Sequence, residues 1–279
     1  FAMPFALIGF VLAIRNELQT KGSIAPNWWI KFMLVLVCMV SARSAAMAFN
    51  RFLDRHFDSL NPRTAIREIP AGLVKAEKAL IFVCINSVVF IVSTYFINTI
   101  CFYLSPIALF VILFYSYTKR FTYLCHVVLG IGLSLAPIGA YLAVTGEFAL
   151  VPVLFSGAVI FWVSGFDVIY ALQDIAFDQS QSLYSMPSYW GLEKALLIAR
   201  GLHVVSATFV IAAFIVGGFH WVYLIGLIVF IGMLLYQHSL VKPHDLSKVN
   251  IAFMTANGIA SIVFSVFVMS AIFIQLFYS

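Results

Sequence analysis

The chain has 279 residues, of which 63% are hydrophobic and only 10% charged. A soluble domain would carry roughly 25% charged residues, and the mean hydropathy of +1.04 is too high for a water-soluble surface. The net charge of +5 comes from basic residues scattered between apolar stretches, which argues against a nucleic-acid interface because no continuous basic patch forms.

At about 20 residues per crossing, the pattern predicts an all-α membrane protein of about nine transmembrane helices, bundled as a single domain over 1–279 with no room for a separate soluble domain. Spans are expected at 1–14, 28–53, 79–97, 101–118, 123–145, 151–172, 194–216, 218–238 and 250–277. The first opens at Phe1 within an apolar stretch, so a truncated N-terminus is expected and no signal peptide is read.

The second span ends in an acidic run. Asn50, Asp54 and Asp58 are spaced i, i+4, i+8, which stacks them on one helical face over two turns. Like charges at that spacing repel unless a ligand neutralises them. Arg43 sits seven residues earlier, nearly on the same face and deeper in the span. A buried cation at that depth calls for an anion. Ala45, Ala46 and Ala48 are small enough for close helix packing.

The connection that follows, Asn61 to Gly72, is marked as a loop by its prolines and glycine. Its Arg63 and Arg67 can bind phosphate oxygens through their planar forks, or serve only as loop charges. At the end of the fourth span, Tyr115 is followed by Lys119. That lysine could neutralise a departing diphosphate or simply anchor the helix at the interface.

The sixth span closes on Asp167, Tyr170, Asp174 and Asp178, expected on one helical face. Five of the eleven acidic residues, Asp54, Asp58, Asp167, Asp174 and Asp178, therefore lie at the ends of two spans. Carboxylates there need a counter-charge. Mg²⁺ suits them, since it takes a few carboxylates plus substrate phosphates. A diphosphate held through Mg²⁺ is the expected occupant. Local pairing with arginines, and a cation or proton transporter, are the competing readings.

The remaining spans show no chemistry of their own. Cys38, Cys84, Cys101 and Cys125 have no paired spacing, and His56, His126, His203, His220, His238 and His244 no ligand spacing, so both sets are read as packing or interfacial residues. The even-numbered connections hold Arg55, Arg63, Arg67, Lys75, Lys78, Lys119, Arg120, Lys194, Lys242 and Lys248, whereas the odd ones hold only Arg15, Lys21 and Lys31. The positive-inside rule then places the even connections, and both acidic clusters, in the cytoplasm. The three basic residues of the first connection dissent.

Taken together these motifs resemble the UbiA superfamily of intramembrane prenyltransferases. Asn50, Asp54 and Asp58 are similar to its first acidic motif. Asp174 and Asp178, preceded by Asp167 and Tyr170, are similar to its second. Arg63 through Gly72 resembles its R-T-x-x-R-x-(L/I)-P-x-G loop, and Tyr115 with Lys119 its Y-x-x-x-K element. Arg51 departs from the pattern, since many members carry Asp there. The resemblance implies nine helices around a cavity, with Mg²⁺ held by Asn50, Asp54, Asp58, Asp174 and Asp178 on a polyprenyl diphosphate. It implies that Arg63, Arg67 and Lys119 assist the leaving group. Arg43 would meet the carboxylate of a small aromatic acid, with Tyr115, Tyr170 and Asn50 also facing the substrates. Asp167 would hold or deprotonate the acceptor phenol, or brace the metal site. The acceptor expected is 4-hydroxybenzoate or a relative, in quinone biosynthesis in a bacterial inner membrane. Alternatives are 1,4-dihydroxy-6-naphthoate in futalosine-route menaquinone synthesis, a terpene cyclase of the same fold, or a non-enzymatic transporter or lipid-binding scaffold.

Overall fold

The computed structural model describes residues 1–278 and contains no β-strand among them. In chain order the helices are α1 (Ala2–Lys21), α2 (Trp28–Leu60), α3 (Ala76–Ile97), α4 (Thr99–Thr118), α5 (Cys125–Thr145), α6 (Leu150–Ala171), α7 (Ile175–Ser180), α8 (Met186–Trp190), α9 (Leu192–Gly217), α10 (Val222–Leu240) and α11 (Asn257–Tyr278). Among the described residues eight stretches, beginning with α2, are long and apolar enough to cross a membrane; α1 is a further long helix. In lipid a backbone must satisfy its own hydrogen bonds, and helices do so within each segment. The chain is an integral, multi-pass membrane protein.

Helix α6 is the most deeply enclosed, packed on α5 and α9. Its Phe155, Trp162 and Phe166 sit in an aromatic core with Phe5, Phe230 and Phe264. Helix α1 lies along α5, and α10 pairs with α11. On the other side α2 packs on α3 and α4, with a smaller contact to α5. It meets α1 through the Phe10 and Phe32 rings, 5.1 Å apart, but has no broad contact with α1 or α11.

The two ends of the bundle are built differently. At one end, the basic residues of the first connection are occupied by protein. Arg15 donates to the Gly217 carbonyl at 3.2 Å, Lys31 to the Val144 carbonyl at 3.0 Å, and Lys21 pairs with Glu17 at 2.9 Å. Two of the three therefore cap helix C-termini, where a cation is favoured. Their departure from the loop-charge pattern has this local cause. At the other end the connections 61–75, 119–124 and 172–191 lean on one another: Tyr184 N–H donates to the Lys119 carbonyl at 2.7 Å.

The boundaries correct some sequence expectations. Helix α2 runs past the expected span end at 53 to Leu60, which keeps Asp54 and Asp58 helical as their spacing expects. The connection between the spans expected at 151–172 and 194–216 contains α7 and α8. Between α6 and α7, Leu172–Asp174 form a 3₁₀ turn. Asp167, Asp174 and Asp178 thus do not share one uninterrupted helical face, because the tighter turn resets the angular phase. A π-helical turn at Ile251–Ala256 precedes α11. Gln237 donates to its Ala252 carbonyl at 2.8 Å and Asn257 to its Phe253 carbonyl at 2.9 Å.

Between lipid-facing helices the hydrophobic effect gives no drive to associate, so close van der Waals approach matters more. Gly9 makes the tightest such approach: a Cβ there would lie 2.0 Å from the Pro137 carbonyl oxygen. Gly9→Ala must therefore push α1 off α5, at about 1–3 kcal/mol. Gly139→Ala, with nothing within 4 Å of its Cβ, is the control. Thermal unfolding in detergent should show a lower Tm for Gly9→Ala only.

Candidate active site

The converging end holds a cavity of about 270 Å³. It is lined by Asn50, Asp54, Asp58, Arg63, Arg67, Tyr115, Lys119, Asp167, Tyr170, Asp174 and Asp178, among others. Every sequence-derived site residue except Arg43 is on that wall.

Each carboxylate is held by a neighbour from another element or from the adjoining loop. Asp54, whose side chain is only 2% exposed, meets Lys119 Nζ at 2.7 Å and Arg120 Nη2 at 3.1 Å. Asn50 Nδ2 donates to it at 3.1 Å. Removing an ion from water costs several kcal/mol even after relaxation, and these three donors offset that cost. Arg120 also donates to the Leu53 and Ser116 carbonyls, at 3.0 and 3.1 Å, and so fastens α2 to α4. Phe57 shelters both cations, 5.9 Å from Lys119 and 5.4 Å from Arg120.

Asp58 accepts from Arg67 Nη1 at 2.6 Å through Oδ1. Asp174 takes Arg63 in a two-pronged pair: Nε donates to Oδ1 at 3.0 Å and Nη2 to Oδ2. Asn61 uses both ends of its amide there. Its Oδ1 accepts from Arg63 N–H at 3.0 Å and its Nδ2 donates to Asp174 Oδ1 at 3.1 Å. Partial burial opposes the charge on Arg63, but the bonds to Asp174 outweigh it and raise the guanidinium pKa. Arg63 Nη1 further donates to the Tyr170 hydroxyl at 3.0 Å. The Tyr170 ring lies 4.2 Å from that of Phe253, presented by the π-helical turn.

On the α6–α8 side, Asp178 accepts from Ser185 Oγ at 2.9 Å. Asp167 Oδ2 is 2.7 Å from His126 Nδ1. His126, read from sequence as a packing residue, thus belongs to the cavity wall. Asn61, Arg120 and Ser185 are further site residues that sequence reasoning missed. The signal available was small: a polar residue at the end of an apolar span is a functional candidate, and His126 and Arg120 fit that rule.

Arg43 is the exception. It is exposed on α2, outside the cavity wall, and within electrostatic reach of Phe1 at the start of α1. It borders the flank where α2 lacks broad contact with α1 and α11.

Among the described residues no three acidic, His or Cys side chains stand close enough to hold a metal ion unaided. One observation nonetheless fits a divalent cation. Asp58 Oδ2 is buried and has no hydrogen-bond partner, in a wall of hard oxygen donors. Buried oxygens are rarely left so. Mg²⁺ typically takes one or two carboxylates and fills its shell with phosphate oxygens and water, which suits carboxylates distributed around a cavity.

The two-pronged Arg63–Asp174 pair should hold the 61–75 loop on the bundle. Asp174→Asn removes its charge and one acceptor oxygen. Limited trypsin digestion should then cut after Arg63 or Arg67 several times faster than in the parent protein, since local opening controls cleavage.

Comparison with known proteins identifies the family and the fold. The family model described as the UbiA prenyltransferase family matches residues 2–275. A curated relative named 4-hydroxybenzoate octaprenyltransferase, from Marinomonas sp. (strain MWYL1), is 28% identical over 243 residues, covering 86% of this chain and 84% of its own. A solved apo structure of a UbiA homolog from Aeropyrum pernix K1 superposes with a TM-score of 0.82 at 26% identity, covering 99% of this chain and 97% of that one. A UbiA homolog from Archaeoglobus fulgidus, solved bound to DMAPP and Mg²⁺, shares the fold with a TM-score of 0.73 at 20% identity, over 98% and 95% of the two chains.

Proposed function

We propose, for a chain that belongs to the UbiA prenyltransferase family, that it transfers a polyprenyl group from polyprenyl diphosphate to the ring of a 4-hydroxybenzoate-like aromatic acid. The observation that carries this reading is one membrane-end cavity with carboxylates from two helix ends, each held by a cation, a hydroxyl or an imidazole, and one buried carboxylate oxygen left over. The Archaeoglobus homolog's ligands and the Marinomonas relative's name support the donor and acceptor classes.

Asp54, Asp58, Asp174 and Asp178, with Asn50, would hold Mg²⁺. When bound, the ion supplies positive charge to the diphosphate and stabilises it as a leaving group. Arg63, Arg67 and Lys119 pair with Asp174, Asp58 and Asp54 at the cavity, and with a diphosphate bound they would turn to its oxygens and add positive charge there. Preorganised cations aimed at developing negative charge are commonly the largest catalytic contribution. The prenyl C1–O bond breaks with its electron pair leaving on diphosphate. Apolar and aromatic walls around Phe57, Leu129 and Phe177 keep water from the allylic cation.

Asp167 accepts the phenol proton, and the ring carbon ortho to that oxygen forms the new bond to C1. The hydrogen on that carbon is then lost to the departing diphosphate, and Asp167 returns its proton to the oxygen. Arg43, on the open flank, would meet the acceptor's carboxylate. The basic residues near the cavity support a cytoplasmic placement of this end.

The test is incubation of the membrane-reconstituted protein with labelled polyprenyl diphosphate, Mg²⁺ and a panel holding 4-hydroxybenzoate and 1,4-dihydroxy-6-naphthoate. A C-prenylated aromatic acid is expected, lost with EDTA and restored by added Mg²⁺. A cyclic hydrocarbon, or no product with any acceptor, would overturn the reading. Asp54→Ala should abolish transfer while the thermal unfolding transition persists. Arg43→Ala should raise the KM for the acid about tenfold or more and leave the donor KM nearly unchanged, as expected for loss of one charge-assisted contact.

A further inference from the structure

Outside the diphosphate-facing carboxylates, one polar chain crosses three elements. Met186 N–H donates to His126 Nε2 at 3.2 Å, and His126 Nδ1 lies 2.7 Å from Asp167 Oδ2. His126 is 3% exposed. A nitrogen that accepts a hydrogen bond carries no proton, so the backbone amide assigns the tautomer. The ring proton is then on Nδ1, aimed at Asp167. The partner amide is covalently fixed and can only donate, so the imidazole cannot adopt the opposite tautomer without breaking this bond.

We infer that His126 is a positioning residue for the acceptor-side base: it donates through Nδ1 to Asp167 Oδ2 and turns Oδ1 toward the phenol. The inference rests on the role given to Asp167 in the proposed reaction. Its geometry is independent of that role. Asp167 has no other hydrogen bond to the described residues, and its side chain keeps 24% exposure on the cavity. One oxygen is spoken for and the other is open to substrate. The same short turn serves both substrates, since Ser185 caps α8 and donates to Asp178, and the next residue, Met186, orients His126. Gly165 lets α6 pack closely on His203 of α9, since a Cβ there would lie 2.3 Å from that ring.

The step concerned is transfer of the phenolic proton to Asp167 Oδ1 as the ring carbon bonds to the prenyl C1. His126 neither gains nor loses a proton in it. His126→Phe keeps a ring of similar size and removes the donor. His126→Gln keeps one amide donor for Asp167 and one acceptor for Met186 N–H.

With saturating donor and 4-hydroxybenzoate, His126→Phe should lower kcat about tenfold, a part of the roughly 10²–10⁴ attributed to general base catalysis, with the donor KM unchanged. His126→Gln should recover most of it. Ring-fluorinated acceptors have progressively more acidic hydroxyls and need the base less. The ratio of wild-type to His126→Phe rates should therefore fall toward one along that series, while a merely structural defect would leave the ratio constant. A constant ratio, or a donor KM that rises in step with the loss, would overturn the inference. So would ¹⁵N spectra of ring-labelled histidine, with His126→Gln identifying the signal, that show Nε2–H or an imidazolium. Those spectra need no turnover. A wild-type protein with the expected tautomer but no prenylated acid would sink the reaction assigned above and leave the placement of His126 standing.

Discussion

A carboxylate at the end of a membrane span must find positive charge or lose its own, and that requirement organises one whole end of this bundle. Asp54 is the strictest case: almost wholly enclosed, it draws Lys119 and Arg120 from the end of α4 and its own neighbour Asn50. Asp174 likewise brings the Arg63 loop over to α6, with Asn61 bonded to both partners. The loops at this end are ordered largely because acids on the helices need what the loops carry. Pairs of this kind are strongly context-dependent, and breaking one leaves an uncompensated charge. They also suit an exchange, since each cation that now balances a carboxylate has the chemistry to bind a phosphate instead.

Much of this was legible in the sequence because the bilayer imposes a simple length rule. Helices of about 20 apolar residues are read directly from hydropathy, and apart from the C-terminal ends of α1 and α2, which run seven residues further, the helices fall within a few residues of the expected spans. The face formed by Asn50, Asp54 and Asp58 followed from helical periodicity alone, since α2 continues unbroken through all three. The second cluster was harder. The 3₁₀ turn at Leu172–Asp174 has no marker in a run that lacks Gly and Pro, so periodicity carried across it put Asp167, Asp174 and Asp178 on one helical face, whereas the structure brings them to one cavity across a break in the helix. Arg43 illustrates the opposite limit. Depth along a helix can be counted from sequence, but the direction a flank faces depends on how far α1 stands from α2, which only tertiary packing decides. His126 was overlooked because its meaning lies in two partners, 41 and 60 positions away.

The basic residues of the far end make a related point about loop charge. Arg15 and Lys31 look like violations of a topological rule when simply counted, but each terminates a neighbouring helix by donating to its last carbonyls. A charge consumed inside the protein carries no information about which side of the bilayer it faces. The same holds at the cavity end, where Arg63, Arg67, Lys119 and Arg120 are held by carboxylates of the protein.

The open flank beside α2 changes what concentration means for this protein. Reactants with long hydrocarbon tails dissolve in the lipid phase, and a bundle that closes on α5 but not on α1 or α11 meets them sideways. Encounter is then a two-dimensional diffusion problem, governed by the mole fraction of the tailed reactant among surrounding lipids. Adding detergent or lipid to the same preparation, at constant molarity of protein and of both reactants, would slow the reaction as though substrate had been withdrawn.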